Sequence, residues 1–262
     1  MLLPALIACS ETGLSSTREA AVAVTYGDFD DLTPSLDRLR VNHDIYEGLI
    51  SHATWSEEPV SGFPVESLLS ARRPAYEAVL VTSGTRGLGR TVYDRNAPDD
   101  ALVADPDVLE ATEGYVRSGG RVLVTDWAYD LFERTWPDAV DFLGDDTALD
   151  DAQQGQPGIV VARVTDDRLA ETLGMDQVVL DYNFSNWAVI TDVHPDTTVW
   201  LRGDVEAWDG TAFVTLQDAP LLVSHETNRG IAVMMTFHGN AQTFAVTDTL
   251  LTTVLGELPP VP

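Results

Sequence analysis

The chain has 262 residues, with 42 Asp and Glu against 15 basic residues, all of them Arg, so its formal net charge is −27 and its isoelectric point is about 4.1. A field of this sign repels phosphate backbones and anionic headgroups, which argues against nucleic acid and anionic lipid as partners. Because 44% of the residues are hydrophobic, we expect a packed core and one large domain.

The first element along the chain is an N-terminal motif. Its run Leu6-Ile7-Ala8-Cys9 resembles the lipobox of bacterial lipoproteins, in which the thiol receives a diacylglyceryl group and the leader is removed. The resemblance implies a signal and anchor over residues 1–9, a tether over 10–19, and a mature protein at the cell envelope, on the outer membrane or cell surface, touching membrane only through lipid on Cys9. The apolar run is short and no Arg precedes it, so a chance match or a misassigned start codon is the alternative.

The first half of the remaining chain alternates strands with helices. Strands are predicted at 20–26, 42–46, 78–82 and 122–125, and helices from 33 or 34 to 39 and over 106–117. Strands that are apolar on both faces and alternate with helices predict a mainly parallel sheet flanked by helices, an α/β fold. No stretch reaches the roughly 18 consecutive apolar residues that span a bilayer.

The second half is predicted to be β-rich. Its apolar runs are short and separated by turns, at 159–164, 178–180, 188–190, 198–201, 212–216 and 221–223. A fully apolar strand at 231–237 and a helix over 244–255 follow. We therefore expect a single domain over residues 20–258, with a β-rich insertion over about 145–225.

Three segments at strand ends resemble class I glutamine amidotransferases, which have a flavodoxin-type α/β sheet. They are the loop Ser83-Gly84-Thr85-Arg86-Gly87, the run Ser118-Gly119-Gly120-Arg121-Val122-Leu123-Val124, and the late segment Thr236-Phe237-His238-Gly239-Asn240. The resemblance covers most of residues 20–256 and implies an amidotransferase-like fold.

The catalytic motifs of that family are altered here. Active members carry a Gly-x-Cys-x-Gly elbow, whereas this chain reads Thr125-Asp126-Trp127-Ala128-Tyr129, so Asp126 or Trp127 occupies the nucleophile position, depending on the register. His238 matches the family histidine, while Asn240 replaces the glutamate of His-x-Glu. A lipidated Cys9 leaves no thiol in the globular part. The resemblance thus implies the fold and argues against glutamine hydrolysis.

Three side chains are candidates for other chemistry: Asp126, His238 and Ser83. Together they offer a Ser-His-Asp set at the carboxyl edge of the sheet, although Gly-x-Ser-x-Gly is absent and Ser83 is otherwise a turn residue. The candidate ligand-binding residues lie at the same edge and are Ser83, Gly84, Thr85, Arg86, Trp127, His238 and Asn240. Arg86 is suited to a phosphate or carboxylate, but the Walker lysine is missing, which favours a flexible loop.

No cofactor and no dedicated metal site are predicted. The five histidines have no zinc-binding spacing, and the acidic turns lack the order of a calcium loop. A cluster of Trp127, Trp187 and Tyr182 at a cleft mouth would indicate sugar or peptide binding; otherwise these rings belong to the core.

Three functional hypotheses remain open. The first is an envelope-anchored lipoprotein with a non-catalytic amidotransferase-like domain that binds or scaffolds a protein or small molecule. The second is a hydrolase in which Asp126 and His238 activate water. The third is a purely structural component of the envelope.

Overall fold

The computed structural model describes residues 20–27, 29–47, 63–64, 68–69, 76–84, 86–87, 90–91, 101–144, 151–184, 187–227 and 229–256. The strands are β1 (Val22–Tyr26), β2 (His43–Glu47), β3 (Phe63–Pro64), β4 (Ala78–Val81), β5 (Arg86–Gly87), β6 (Arg90–Thr91), β7 (Arg121–Thr125), β8 (Val140–Phe142), β9 (Gly158–Val164), β10 (Gln177–Tyr182), β11 (Ile190–Val193), β12 (Thr197–Trp208), β13 (Phe213–Glu226) and β14 (Ile231–Met235). The α-helices are α1 (Thr33–Arg38), α2 (Pro106–Arg117), α3 (Tyr129–Thr135), α4 (Asp167–Leu173) and α5 (Phe244–Leu255).

One mixed sheet organises the described part of the chain. Its strand order is β10-β9-β12-β13-β14-β7-β4-β1-β2-β3. The six strands from β14 to β3 are parallel, and the four from β10 to β13 run antiparallel to their neighbours. Two small antiparallel pairs, β8 with β11 and β5 with β6, lie outside it.

The strand order reverses at β1. From β1 the chain first adds β2 and β3 on one side, and then crosses to add β4 and β7 on the other. Such a reversal opens a crevice at the carboxyl ends of the strands, because the loops that follow them diverge to opposite sides. The ends of β1, β4, β7 and β14 therefore converge on one place.

The core lies on both faces of the parallel strands. One apolar cluster contains side chains of α2 and α3, and the other contains side chains of α1 and α5. β1 and β4 are buried along nearly their whole length, as strands covered on both faces must be. β9 and β10 instead alternate buried and exposed residues, so one of their faces is open.

The sequence-based prediction of an α/β fold with a mainly parallel sheet flanked by helices is confirmed. Helices α2 and α5 begin and end at the predicted residues. In the β-rich stretch, β9, β10, β12 and β13 pair with the main sheet and extend it. The runs predicted at 212–216 and 221–223 form one strand, β13, in which Asp218 has a φ of +54°. Among the described residues, no helix is both long and apolar enough to cross a membrane.

Candidate functional site

Four loops at the carboxyl edge of the sheet bring four polar side chains together. Asp30 follows β1, Ser83 follows β4, Asp126 follows β7 and His238 follows β14. All four are buried. Since the preceding strands are fixed by apolar packing on both faces, the first polar residues after them are held at this edge.

Asp126 occupies the sharp turn between β7 and α3. Its φ is +44°, which places it in the left-handed region, while Thr125 before it is still extended. Asp adopts this conformation more readily than most residues other than glycine. Of the two registers left open by the sequence, the structure therefore gives the bent position to Asp126.

Trp127, the other candidate at the elbow, lies in the core. It is buried and packs edge-on against Tyr129, with the ring centroids 5.5 Å apart. The rings of Tyr182 and Trp187 meet at an angle of 40° with their centroids 4.2 Å apart, in the apolar cluster on the other side of the sheet, and both residues are buried. The three rings therefore do not form an aromatic patch at a cleft mouth.

Asp126 and His238 form a buried ion pair. Oδ2 of Asp126 contacts Nε2 of His238, and the two residues are only 1% and 5% exposed. On the other side of the ring, Nδ1 of His238 lies 3.1 Å from Oδ1 of Asn183, where an Nδ1–H donates to the amide oxygen. With Nδ1 protonated and Nε2 against a carboxylate, the imidazole is held at both nitrogens.

Asp30 holds the backbone that carries His238. Its two carboxylate oxygens accept the backbone N–H groups of Gly239 at 3.1 Å and of Asn240 at 3.0 Å. Asp30 is completely buried, so these bonds satisfy a charge that has no access to water. The loop after β14 is thereby tied to the loop after β1.

The pKa values of all three groups are raised, by burial for the two carboxyl groups and by the neighbouring carboxylates for the imidazole. Burial raises the pKa of Asp126, and the nearby imidazole only partly offsets it. Burial likewise raises the pKa of Asp30, against the opposing effects of His238 and of the two N–H donors. Burial alone works to lower the pKa of His238, but the carboxylates of Asp126 and Asp30 outweigh it and raise that pKa. The Asp126–His238 pair therefore retains a proton as pH rises.

Ser83 is a buried turn residue beside Asp126. Its hydroxyl lies 3.5 Å from Oδ2 of Asp126, at the limit of a hydrogen bond, and its carbonyl accepts the N–H of Phe29 at 3.3 Å. A Cβ on Gly27 would lie 2.0 Å from that carbonyl oxygen, so the loops after β1 and β4 touch backbone to backbone. Ser83 contacts the acid of the proposed set, and no described contact joins it to His238.

The remaining candidate residues have separate positions. Gly84 turns the chain with a φ of +83°. Arg86 begins the short strand β5, while Thr85 and Cys9 lie outside the described residues. Nδ2 of Asn240 donates to the carbonyl of Phe29 at 3.3 Å, so Asn240 does not orient the imidazole as the family glutamate does.

An exposed phenylalanine, Phe184, lies next to His238, and a second one, Phe29, lies next to Phe184. The ring of Phe184 is edge-on to the imidazole, with centroids 5.1 Å apart, and Phe29 meets Phe184 edge-on at 5.8 Å. Phe184 thus covers part of the imidazole of His238. The candidate site is a buried polar cluster with one aromatic ring against its imidazole.

Sequence reasoning missed Asp30 and Asn183. An acidic residue soon after a buried strand was a usable signal for Asp30, since it follows β1 as Asp126 follows β7. Nothing local identifies Asn183, because it follows β10, which lies at the far edge of the sheet from β1 and β4. Among the described residues, no group of three or more His, Cys, Asp or Glu is arranged to hold a metal ion.

The chemistry available to this arrangement is limited. An imidazole and a carboxylate in contact can share a proton, and Asp30 adds a second negative charge nearby. The bent position after β7 carries a carboxylate that is already paired with the imidazole. The imidazole and the carboxylate at this edge of the sheet are therefore already in contact with each other.

Comparisons with known proteins identify the fold. No family model and no curated protein sequence matches the chain. Among solved structures, a GMP synthase component from Thermoplasma acidophilum has a TM-score of 0.51 at 11% identity, covering 90% of this chain and 93% of that one. A ThuA-like protein from Bacteroides uniformis has a TM-score of 0.51 at 12% identity, covering 92% of each chain. PurLQS from Thermotoga maritima has a TM-score of 0.50 at 8% identity, covering 89% of this chain and 96% of that one.

At 8–12% identity these likenesses bear on the fold alone. They agree with the strand order, the parallel core and the flanking helices described above. The chain thus has the glutamine amidotransferase-like α/β fold.

Proposed function

We propose that this chain is a non-catalytic amidotransferase-like domain with a binding or scaffolding role, held at the cell envelope by lipid on Cys9. The observation that carries the first part is the buried ion pair between Asp126 and His238 at the nucleophile position. A cysteine there attacks the substrate amide as a thiolate activated by the histidine. In this chain the histidine is instead the counter-ion of the residue that replaces the cysteine.

Asp126 is a poor substitute nucleophile for amide hydrolysis. A carboxylate that attacked the amide would form an anhydride, and ammonia would have to leave in preference to the carboxylate. Approach is also blocked, because Asp126 is 1% exposed. The proposal therefore assigns the pair a structural role in a domain whose partner is an unidentified protein or small molecule.

Ammonia release from glutamine tests the non-catalytic assignment. We expect the wild type and His238→Ala to give the same rate as buffer alone. Turnover by the wild type that disappears in His238→Ala would overturn the assignment. Ser83→Ala is the matched control, since it alters a buried neighbour of Asp126 without removing the imidazole.

A hydrolase that uses Asp126 and His238 to activate water is the second candidate. The contact between these two side chains is the observation in its favour. It predicts hydrolysis of an activated ester such as p-nitrophenyl acetate, with a rate that falls in both Asp126→Asn and His238→Gln but not in Ser83→Ala. Equal background rates in all four proteins would remove this candidate.

Envelope anchoring rests on the lipobox resemblance at Cys9. We expect the native protein to partition with membranes and its N-terminal peptide to carry a diacylglyceryl cysteine, with Ser10 directing it to the outer membrane of a two-membrane cell. Cys9→Ser should release the protein from the membrane fraction. Mass spectrometry that finds an unmodified Met1 on the native protein would contradict the anchor.

A further inference from the structure

Strand β10 forms one edge of the ten-stranded sheet, and no described strand lies beyond it. The backbone N–H and C=O groups of its even-numbered residues point toward β9. This orientation follows from the carbonyl of Asp176, in the same alternation, which accepts the N–H of Val164 at 2.8 Å. The odd-numbered residues Gln177, Val179 and Asp181 therefore point their backbone N–H and C=O groups away from the sheet.

One of these three outward-facing residues is already covered. Oε1 of Gln242 accepts the N–H of Asp181 at 2.9 Å, and Nε2 of Gln242 donates to the carbonyl of Asp181 at 2.9 Å. The side-chain amide thus occupies the place of a neighbouring strand at Asp181. The backbone N–H and C=O groups of Gln177 and Val179 also point outward, and no described hydrogen bond joins them to Gln242.

The open end of this edge is apolar on the solvent face. Val179 lies opposite Val161, and next to that pair Ile159 lies opposite Asp181. Ile159, Val161 and Val179 are 64%, 58% and 57% exposed. Residues 177–180 contain no charged side chain, although 42 of the 262 residues are acidic. Edge strands in soluble proteins usually carry a charge or a proline that prevents pairing, and this one does not between Gln177 and Leu180.

We propose that β10 pairs antiparallel with β10 of a second copy of this chain. Gln242 already bonds the outward backbone groups of Asp181, so a second strand can pair with the N–H and C=O groups of Gln177 and Val179. This requirement selects the register. With Val178 on the two-fold axis, Gln177 of each copy lies opposite Val179 of the other, and four backbone hydrogen bonds form.

This register also suits the side chains. The two Val179 residues become diagonal neighbours across the axis, and each remains beside its own Val161. Asp176 of one copy lies opposite Leu180 of the other, so no carboxylate faces another across the paired residues 176–180. A foreign strand is not required, because the edge is complementary to itself.

The net charge of −27 on each copy opposes this association. Added salt screens it, as the Debye length falls from about 10 Å at about 0.1 M to about 3 Å at about 1 M ionic strength. The pairing is therefore expected to strengthen with salt and with protein concentration.

Sedimentation velocity of the full chain at low and molar NaCl tests the proposal, with detergent below its micelle concentration if Cys9 is lipidated. We expect the wild type to shift toward twice its monomer mass in high salt. Val179→Pro removes an outward N–H without removing a bond to β9, and it should keep the protein monomeric. Phe213→Lys, which alters an exposed apolar residue on β13, should still dimerise. A wild type that stays monomeric at the highest concentration and salt overturns the proposal, as does a dimer lost in Phe213→Lys but kept in Val179→Pro.

Hydrogen exchange on the wild type provides a measurement that does not depend on how the variants fold. The amides of Gln177 and Val179 should exchange at least tenfold more slowly in the dimer than in the monomer, while the amide of Asp181, which Gln242 already covers, should be unchanged. Dimerisation without slower exchange at Gln177 and Val179 would place the interface elsewhere and overturn the proposal.

Discussion

Removal of the imidazole from the buried cluster should destabilise the fold strongly. In His238→Ala, Asp126 and Asp30 remain buried, at 1% and 0% exposure, with no positive charge beside them. Breaking a buried pair by deleting one partner costs about 3–5 kcal/mol. A domain of this kind has a total free energy of unfolding of about 5–15 kcal/mol, so the loss is a large fraction of it.

A double-mutant cycle measured by urea unfolding at neutral pH separates the pair from its surroundings. His238→Ala and Asp126→Asn should each be costly, whereas the double variant should be more stable than the sum predicts by at least about 1 kcal/mol, because it leaves no charge unpaired at the elbow. Ser83→Ala should cost less than about 1 kcal/mol, since its bond to Asp126 is long. A loss below about 1 kcal/mol in His238→Ala, or strict additivity, would refute this explanation of the cluster.

Three further predictions concern pH, salt and backbone packing. The folded state binds more protons than the unfolded chain at Asp30, Asp126 and His238, because the pKa of each is raised. The free energy of unfolding should therefore fall as pH rises from about 4 through these raised pKa values. Its dependence on pH should be weaker in the double variant Asp126→Asn/His238→Gln. A free energy of unfolding that rises over the same range would contradict the raised pKa values. The thermal midpoint should increase between dilute buffer and about 1 M NaCl, because screening weakens the self-repulsion of a chain with a net charge of −27, and a flat profile would show that the charges are well paired or far apart. Gly27→Ala should lower the free energy of chemical unfolding by about 1–3 kcal/mol, since the added Cβ would lie 2.0 Å from the carbonyl oxygen of Ser83. Gly158→Ala is the control, because its Cβ would meet nothing within 4 Å. Equal losses in the two variants would argue against the close approach of Gly27 to Ser83.

The elements could be predicted well where apolar periodicity sets them. Helix α2 begins at Pro106 after Asp105, whose side chain accepts the N–H of Asp107 at 3.0 Å, and these capping signals are local in sequence. The length of β13 could not be read in the same way, because the polar residues around Asp218 look like a turn. In the structure Asp218 takes a left-handed φ within a strand that continues past it.

The candidate site was predictable only in part, because its contacts connect distant segments. The positions of Asp126 and His238 follow from motif and strand order, and the structure joins them. Asn240 was selected by its spacing from His238, but the imidazole is bonded to Asn183, a residue 55 positions away. Trp127 was assigned to a ligand surface from its place beside the elbow, yet the turn directs the ring into the core, where burying a large aromatic surface is favourable.

Gln242 connects the edge of the sheet to the loop that carries His238. Besides its two bonds to Asp181, its Nε2 donates to the carbonyl of His238 at 2.9 Å. A strand long enough to reach Asp181 must compete for the same amide, and its binding would free the carbonyl of the residue that neutralises Asp126. One uncharged side chain therefore anchors three backbone groups from two segments far apart in sequence, two at the rim of the sheet and one beside its buried charges.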